Sequence, residues 1–214
     1  MKIIGLDLSG PRNTADTYLV IFNEQGAGLN FINAVNGADD QQIFHAVSGL
    51  GSNEPIIIGM DAPLSYNPGG GDRPSDANLR RAVREKGGGV GVIPPTMIRM
   101  VYLTLRGILL TRMLEKLKPE LDIRMVEVHP GASMLLRDAP AKAVATFKRD
   151  ESARLQLLQW LGEKGLMGIP RRGDVPDHFV AACAAALGAW QWSLGKSAWL
   201  HPAKPPEHPY DFAC

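Results

Sequence analysis

Three carboxylates stand at or beside the ends of apolar segments that read as strands: Asp7 after Ile4-Gly5-Leu6, Asp61 after Ile58-Gly59-Met60, and Glu127 after Arg124-Met125-Val126. A further acidic element, Asp174-x-x-Asp177, sits where a last helix is expected to start. In open α/β sheets the strand ends are where sites form. A carboxylate carried inward by a buried strand is costly unless its charge is compensated, and a bound cation supplies that compensation. Hard acidic oxygens suit Mg²⁺ or Mn²⁺, which take one or two carboxylates and keep positions open for phosphate oxygens. Two such ions about 3.5–4 Å apart can activate water and stabilise the leaving oxygen in phosphodiester cleavage. The expected site has Asp7, Asp61 and Asp177 as metal ligands, with Glu127 and Asp174 as further ligands or general base.

Each of these residues also has a plainer use. Asp174 or Asp177 can cap a helix, Asp61 before Ala62-Pro63 can form a turn, and Asp7 can hydrogen-bond the Ser9-Gly10 turn. Glu127 can pair with an arginine of the long loop. Positive charge is concentrated in Arg73, Arg80, Arg81, Arg84 and Lys86, with Arg99 and Arg106 beyond. Arg73, Arg80 and Arg84 are the candidate phosphate contacts; alternatively Arg73 and Arg80 pair with Asp72, Asp76 or Glu85 and order the loop. His129 is either a proton shuttle or a hydrogen-bonded structural residue.

The elements that must position these groups follow from pattern. Residues 2–8, 18–22 and 29–35 read as three short strands joined by tight turns, an antiparallel opening sheet. Asp39 and Asp40 can cap a helix carrying Ile43, Phe44, Val47 and Leu50. Ile56 to Met60 is a run typical of a strand buried on both faces. The Gly- and Pro-rich stretch 65–95 reads as a long surface excursion containing a short helix, able to close over the acids. Residues 96–118 read as an amphipathic helix with Ile98, Val101, Leu105, Ile108, Leu109, Leu114 and Leu117 on one side and Arg99, Arg106, Arg112 and Lys116 elsewhere. A strand over 122–128 and helices over 151–164 and 174–194 complete the pattern; in the last helix, Ala181 to Ala186 offers small side chains that let it lie close to a sheet. The order βββαβαβαα defines an α/β fold with a mixed sheet and helices on both faces. One domain is expected over 1–200, with the insertion at 65–95 and an irregular tail over 201–214.

Composition bounds the function. The 214 residues are 45% hydrophobic and 21% charged, with a formal charge of +1, so no global field draws the chain onto nucleic acid or a membrane. Two cysteines argue against a disulfide framework or a cysteine zinc cluster. There is no 18-residue uncharged apolar run, and Asp7 comes too early for a signal-peptide core, so a soluble, cytoplasmic protein is expected. Gly87 to Val92 lacks the ending of a phosphate-binding P-loop and reads as a hinge, and no Gly-x-Ser-x-Gly elbow supports a serine nucleophile. Trp190, Trp192 and Trp199 read as core or oligomer contacts rather than base-stacking residues.

Gly5-Leu6-Asp7-Leu8-Ser9-Gly10, Asp61-Ala62-Pro63-Leu64, Arg73-x-x-Asp76-x-x-x-Arg80, Glu127-Val128-His129-Pro130 and Asp174-x-x-Asp177 together resemble the domain-of-unknown-function family 429, described as predicted nucleases with a ribonuclease-H-like fold. The resemblance runs from residue 2 to about residue 190. It implies Asp7 on the first strand, Asp61 on the fourth and Asp177 on the last helix, as in Holliday-junction-resolvase-like members of that superfamily. His178 departs from the alanine common in the family. The expectation is a metal-dependent nuclease that hydrolyses phosphodiester bonds with activated water, on a nucleic acid or nucleotide, without membrane association and with homodimerisation left open. Two alternatives are a non-catalytic module of the same fold that binds a nucleotide or partner, and a phosphotransferase, which would need a second such domain.

Overall fold

The computed structural model describes residues 1–51, 54–172 and 174–214. Its strands are β1 (Lys2–Asp7), β2 (Tyr18–Gln25), β3 (Gly28–Asn36), β4 (Ile56–Asp61), β5 (Ile123–Val128), β6 (Leu166–Met167), β7 (Leu200–His201) and β8 (Phe212–Ala213). They form one mixed sheet in the order β6-β3-β2-β1-β4-β5-β8-β7. β1, β2 and β3 pair antiparallel, whereas β4 and β5 run parallel to β1. The helices are α1 (Asp40–Ser48), α2 (Pro74–Glu85), α3 (Ile98–Glu115), α4 (Pro130–Leu136), α5 (Ala141–Thr146), α6 (Glu151–Glu163) and α7 (Asp177–Ser193). The expected α/β class and mixed sheet are present.

Alternation along the central strands feeds two cores. Ile3, Ile57 and Val126 belong to the layer with α6 and α7, and Ile4, Leu6, Ile58, Met60 and Met125 to the layer with α1 and α3. The continuous apolar run of β4 is thus explained by burial on both faces. α7 lies unusually close to the sheet because Gly5 and Gly59 carry no side chain: an added Cβ would sit 1.9 Å from Ala182 O at Gly5 and 2.4 Å from Ala185 O at Gly59. The small residues of α7 and the two strand glycines are one packing device. At the start of α1, Asp39 accepts from the Gln42 amide and Gln42 accepts from the Asp39 amide, a reciprocal cap.

α7 starts at Asp177, not 174, because Pro176 precedes it in an extended conformation (φ −59°, ψ 149°) and proline disfavours helix in the residue before it. Asp174 and Asp177 therefore do not share a helical face. The tail is not irregular throughout: β8 pairs parallel with the end of β5 and antiparallel with β7, and Cys214 is buried. α3 does not turn its full apolar side inward. Arg106, expected outside, is buried, while Ile98, Leu105 and Leu109 are exposed, because the side facing the sheet is chosen by Gly107, close to Pro63 O, and by Leu110 and Leu114. Within the 65–95 insertion, Leu79, Val83 and Val92 form a small core with Leu135, Phe212 and Cys214 that fastens α2 to the body.

Candidate functional site

Asp7 and Asp61 are register partners at the ends of adjacent parallel strands. They follow Gly5 and Gly59 by two residues, so both carboxyls emerge on the α7 side, just past the point of closest approach. The first turn of α7 then delivers His178, whose Nδ1 lies 2.6 Å from Asp7 Oδ2. His178 Nε2 stands 4.0 Å from Asp177 Oδ1 and 3.9 Å from Asp16 Oδ2 in a 3₁₀ turn, Thr14–Asp16. Tyr18 and Phe179 meet edge to face at 5.5 Å, holding the start of β2 against this turn of α7.

The protein's own charges compensate the pair only in part. Burial pushes the Asp61 carboxyl well above the usual carboxylate range, and the neighbouring Asp7 charge and a hydrogen bond with it add to the rise. Lys148, exposed in the segment after α5, acts on Asp61 in the opposite sense. The hydrogen bond to Asp7 raises the pKa of His178 against an opposing effect of burial. The two carboxyls thus meet each other directly, with the imidazole of His178 on Asp7 and the charge of Lys148 acting on Asp61.

Glu127 belongs to a different arrangement. Its register partner is Met60, so it leaves the sheet on the face opposite Asp7 and Asp61. Both of its oxygens are taken by Arg73, at 2.7 Å to Nη1 and 2.5 Å to Nη2, and Oε2 also accepts from the Leu64 amide at 2.9 Å. Arg73 simultaneously holds Asp76 through Nε (3.0 Å) and Nη2 (2.7 Å) and lies over the Phe212 ring. Burial alone would lower the Arg73 pKa; the carboxylates of Glu127 and Asp76 outweigh it and raise the pKa. The loop-ordering use of Arg73 is the one the structure displays, and this guanidinium does not present itself to a phosphate.

The remaining candidates are dispersed. Arg80 pairs with Asp72 at 2.7 and 2.8 Å and donates to Val92 O, again ordering the insertion. Arg84 is exposed on α2. Asp174 is exposed, with Oδ1 3.6 Å from Arg172 Nε, and does not join the other acids. Arg106 binds Asp40, Ser9 O, Thr17 Oγ1 and Ala38 O, so it ties the loop after β1 to the start of α1. His129 accepts from the Ala132 amide at Nδ1 and faces Gly91 O through Nε2; burial lowers its pKa, and it serves as the α4 cap rather than meeting the acids. Trp190 and Trp192 donate to Glu24 and Asp211, and Trp199 to Asn78, which are structural contacts.

Sequence reasoning missed His178 as a partner of Asp7, and missed Asp16 and Lys148 altogether. His178 was visible as a neighbour of Asp177, but the pairing depends on where α7 starts. Asp16 and Lys148 sit outside any strand-end pattern, so nothing in spacing marks them. Among the described residues, no group of three or more His, Cys, Asp and Glu side chains is already arranged as a metal site. No helix among them is long and apolar enough to cross a membrane.

The fold and this edge define an α/β protein with a mixed sheet and a paired-carboxylate site at the C-terminal ends of two parallel strands. The chain belongs to the family described as protein of unknown function (DUF429), whose pattern matches residues 5–207. No curated protein and no solved structure gives a significant match.

Proposed function

We propose that the chain is a metal-dependent nuclease of ribonuclease-H-like fold, with Asp7 and Asp61 as the primary ligands of Mg²⁺ or Mn²⁺ and Asp177 as a ligand reached from the first turn of α7. The observation that carries this reading is the same-face register pair Asp7 and Asp61, two carboxyls whose meeting raises the Asp61 pKa well above the usual range despite the opposing charge of Lys148. Mg²⁺ is commonly held by one or two carboxylates and completed by waters and substrate phosphate, so two converging carboxyls fit such an ion without a closed protein cage. The bound ion would lower the pKa of water and offset phosphate charge.

The chain's own residues supply the rest. Asp7 and Asp61 orient their oxygens from rigid strands, Gly5 and Gly59 set the distance to α7, and His178 holds Asp7 by a hydrogen bond and can carry a proton at Nδ1. Glu127 fixes the Arg73-anchored insertion beside this edge rather than acting as a general base. Lys148, exposed and acting electrostatically on Asp61, is the cation placed to meet a substrate phosphate. The ribonuclease-H-like reading is supported by three antiparallel strands followed by alternating strands and helices on both faces.

The test is cleavage of labelled single-stranded, duplex and branched DNA and RNA with Mn²⁺ or Mg²⁺, compared between wild type and Asp61→Asn. Metal-dependent cleavage lost in the variant supports the nuclease. A second reading, a non-catalytic nucleotide- or partner-binding module, is favoured by one contact: His178 already occupies Asp7 Oδ2. Absence of cleavage of every substrate, with retained nucleotide binding, would select it.

A further inference from the structure

α3 is apolar on two faces, and its own fold uses one. Gly107, Leu110 and Leu114 face the sheet layer, whereas Ile98, Tyr102, Leu105 and Leu109 are 94%, 68%, 55% and 52% exposed. At about 100° per residue these four fall within roughly 60° of one another around the helix. Their steps of four, three and four residues are those of a seam in which two helices interlock. A helix apolar all round is normally sandwiched between two layers. With Met97, also exposed, the ridge presents roughly 600 Å² of apolar surface, at the top of the range for a monomer's largest patch and most of the ~800 Å² that each partner contributes to a standard interface.

We infer that this face seats the same face of a second copy of the chain, with the two α3 helices antiparallel across a two-fold axis. The seam is self-complementary, as a two-fold interface requires: Tyr102 of one copy lies against Leu105 of the other, and Ile98 against Leu109. No aspartate or glutamate occurs from residue 98 to residue 114, so the helical seam itself carries no carboxylate. Parallel pairing would set Arg112 against its own copy at the rim and align the helix dipoles. Antiparallel pairing separates the two Arg112 side chains by about 25 Å and opposes the dipoles. α3 also carries Arg106, which grips the loop after β1, so the dimer would brace the element that holds this loop.

Sedimentation velocity of the full chain at micromolar concentration is expected to give twice the 23.2 kDa chain mass. Tyr102→Glu with Leu105→Glu is expected to give a monomer with unchanged circular dichroism, since both side chains already face outward. Tyr102→Cys with Leu105→Cys is expected to form a disulfide-linked dimer on oxidation, the native Cys183 and Cys214 being buried. A monomeric wild type, a dimer that survives the double glutamate substitution, or cross-linking through Ile98→Cys alone would each overturn the antiparallel pairing.

Discussion

Glu127 and Asp61 end neighbouring strands of one sheet edge and meet opposite electrical circumstances. Glu127 turns to one face, where Arg73 grips both of its oxygens and Asp76 joins the same guanidinium. Asp61 turns to the other face beside Asp7, where an imidazole pairs with Asp7 and the charge of Lys148 offsets Asp61 only in part. The first cluster is closed: each charge has its partner and the group fastens the insertion to the sheet. The second is open, because two carboxyls share a crowded edge and Asp61 keeps its proton to well above the usual range. Acidity at a strand end therefore does not distinguish a site from a brace; compensation does.

The sharpest way to break the comparison is to remove the cation from the closed side. Arg73→Met leaves Glu127 and Asp76 buried without a partner, and removing one member of a buried pair costs about 3–5 kcal/mol. Denaturant unfolding should show that loss, and Arg73→Met with Glu127→Leu and Asp76→Asn should recover part of it; equal stability of the single variant and wild type would contradict the closed cluster. Next in size is Gly5→Ala. Its methyl would clash with the backbone of α7, and overpacking of this kind costs about 1–3 kcal/mol or more, readable as a lower thermal midpoint.

On the open side the sign reverses. A carboxyl whose pKa is raised in the folded state holds a proton that the unfolded chain releases, so its effect on stability becomes unfavourable as pH rises above the unfolded value of about 3.9. Asp61→Asn is thus expected to raise the thermal midpoint at pH 7 in chelator-treated protein while weakening metal binding. An unchanged or lowered midpoint would argue that Asp61 is already compensated. The smallest effect belongs to His178. Its pKa is raised by the hydrogen bond to Asp7, so its contribution is full below the free imidazole value of about 6.5 and fades as pH rises through the folded value. For a partly exposed pair it should stay below about 1 kcal/mol, and His178→Ala should flatten that part of the pH–stability profile.

Much of this was legible in the sequence. Asp7 and Asp61 were visible as acids closing apolar strands, and the small residues of α7 foretold its close approach, although the matching strand glycines acquire meaning only with the register. Glu127 looked equivalent to the two aspartates because a one-residue offset in register, which decides the face, leaves no trace in spacing. The Asp174-x-x-Asp177 pair misled because Pro176 moves the helix start. α4 and α5 span fewer than two full turns and α3 is apolar on both sides, so periodicity could place neither the short helices nor the buried face of α3. β8 is two residues long and depends on the end of β5 for its partner.

By this comparison the Asp7–Asp61 edge should take up a cation and the Glu127–Arg73 cluster should not. Calorimetric titration of Mn²⁺ into chelator-treated wild type, Asp7→Asn and Glu127→Gln tests it most directly. Binding is expected in wild type, with loss in Asp7→Asn and retention in folded Glu127→Gln. Equal binding by wild type and Asp7→Asn, or none by wild type, would contradict it.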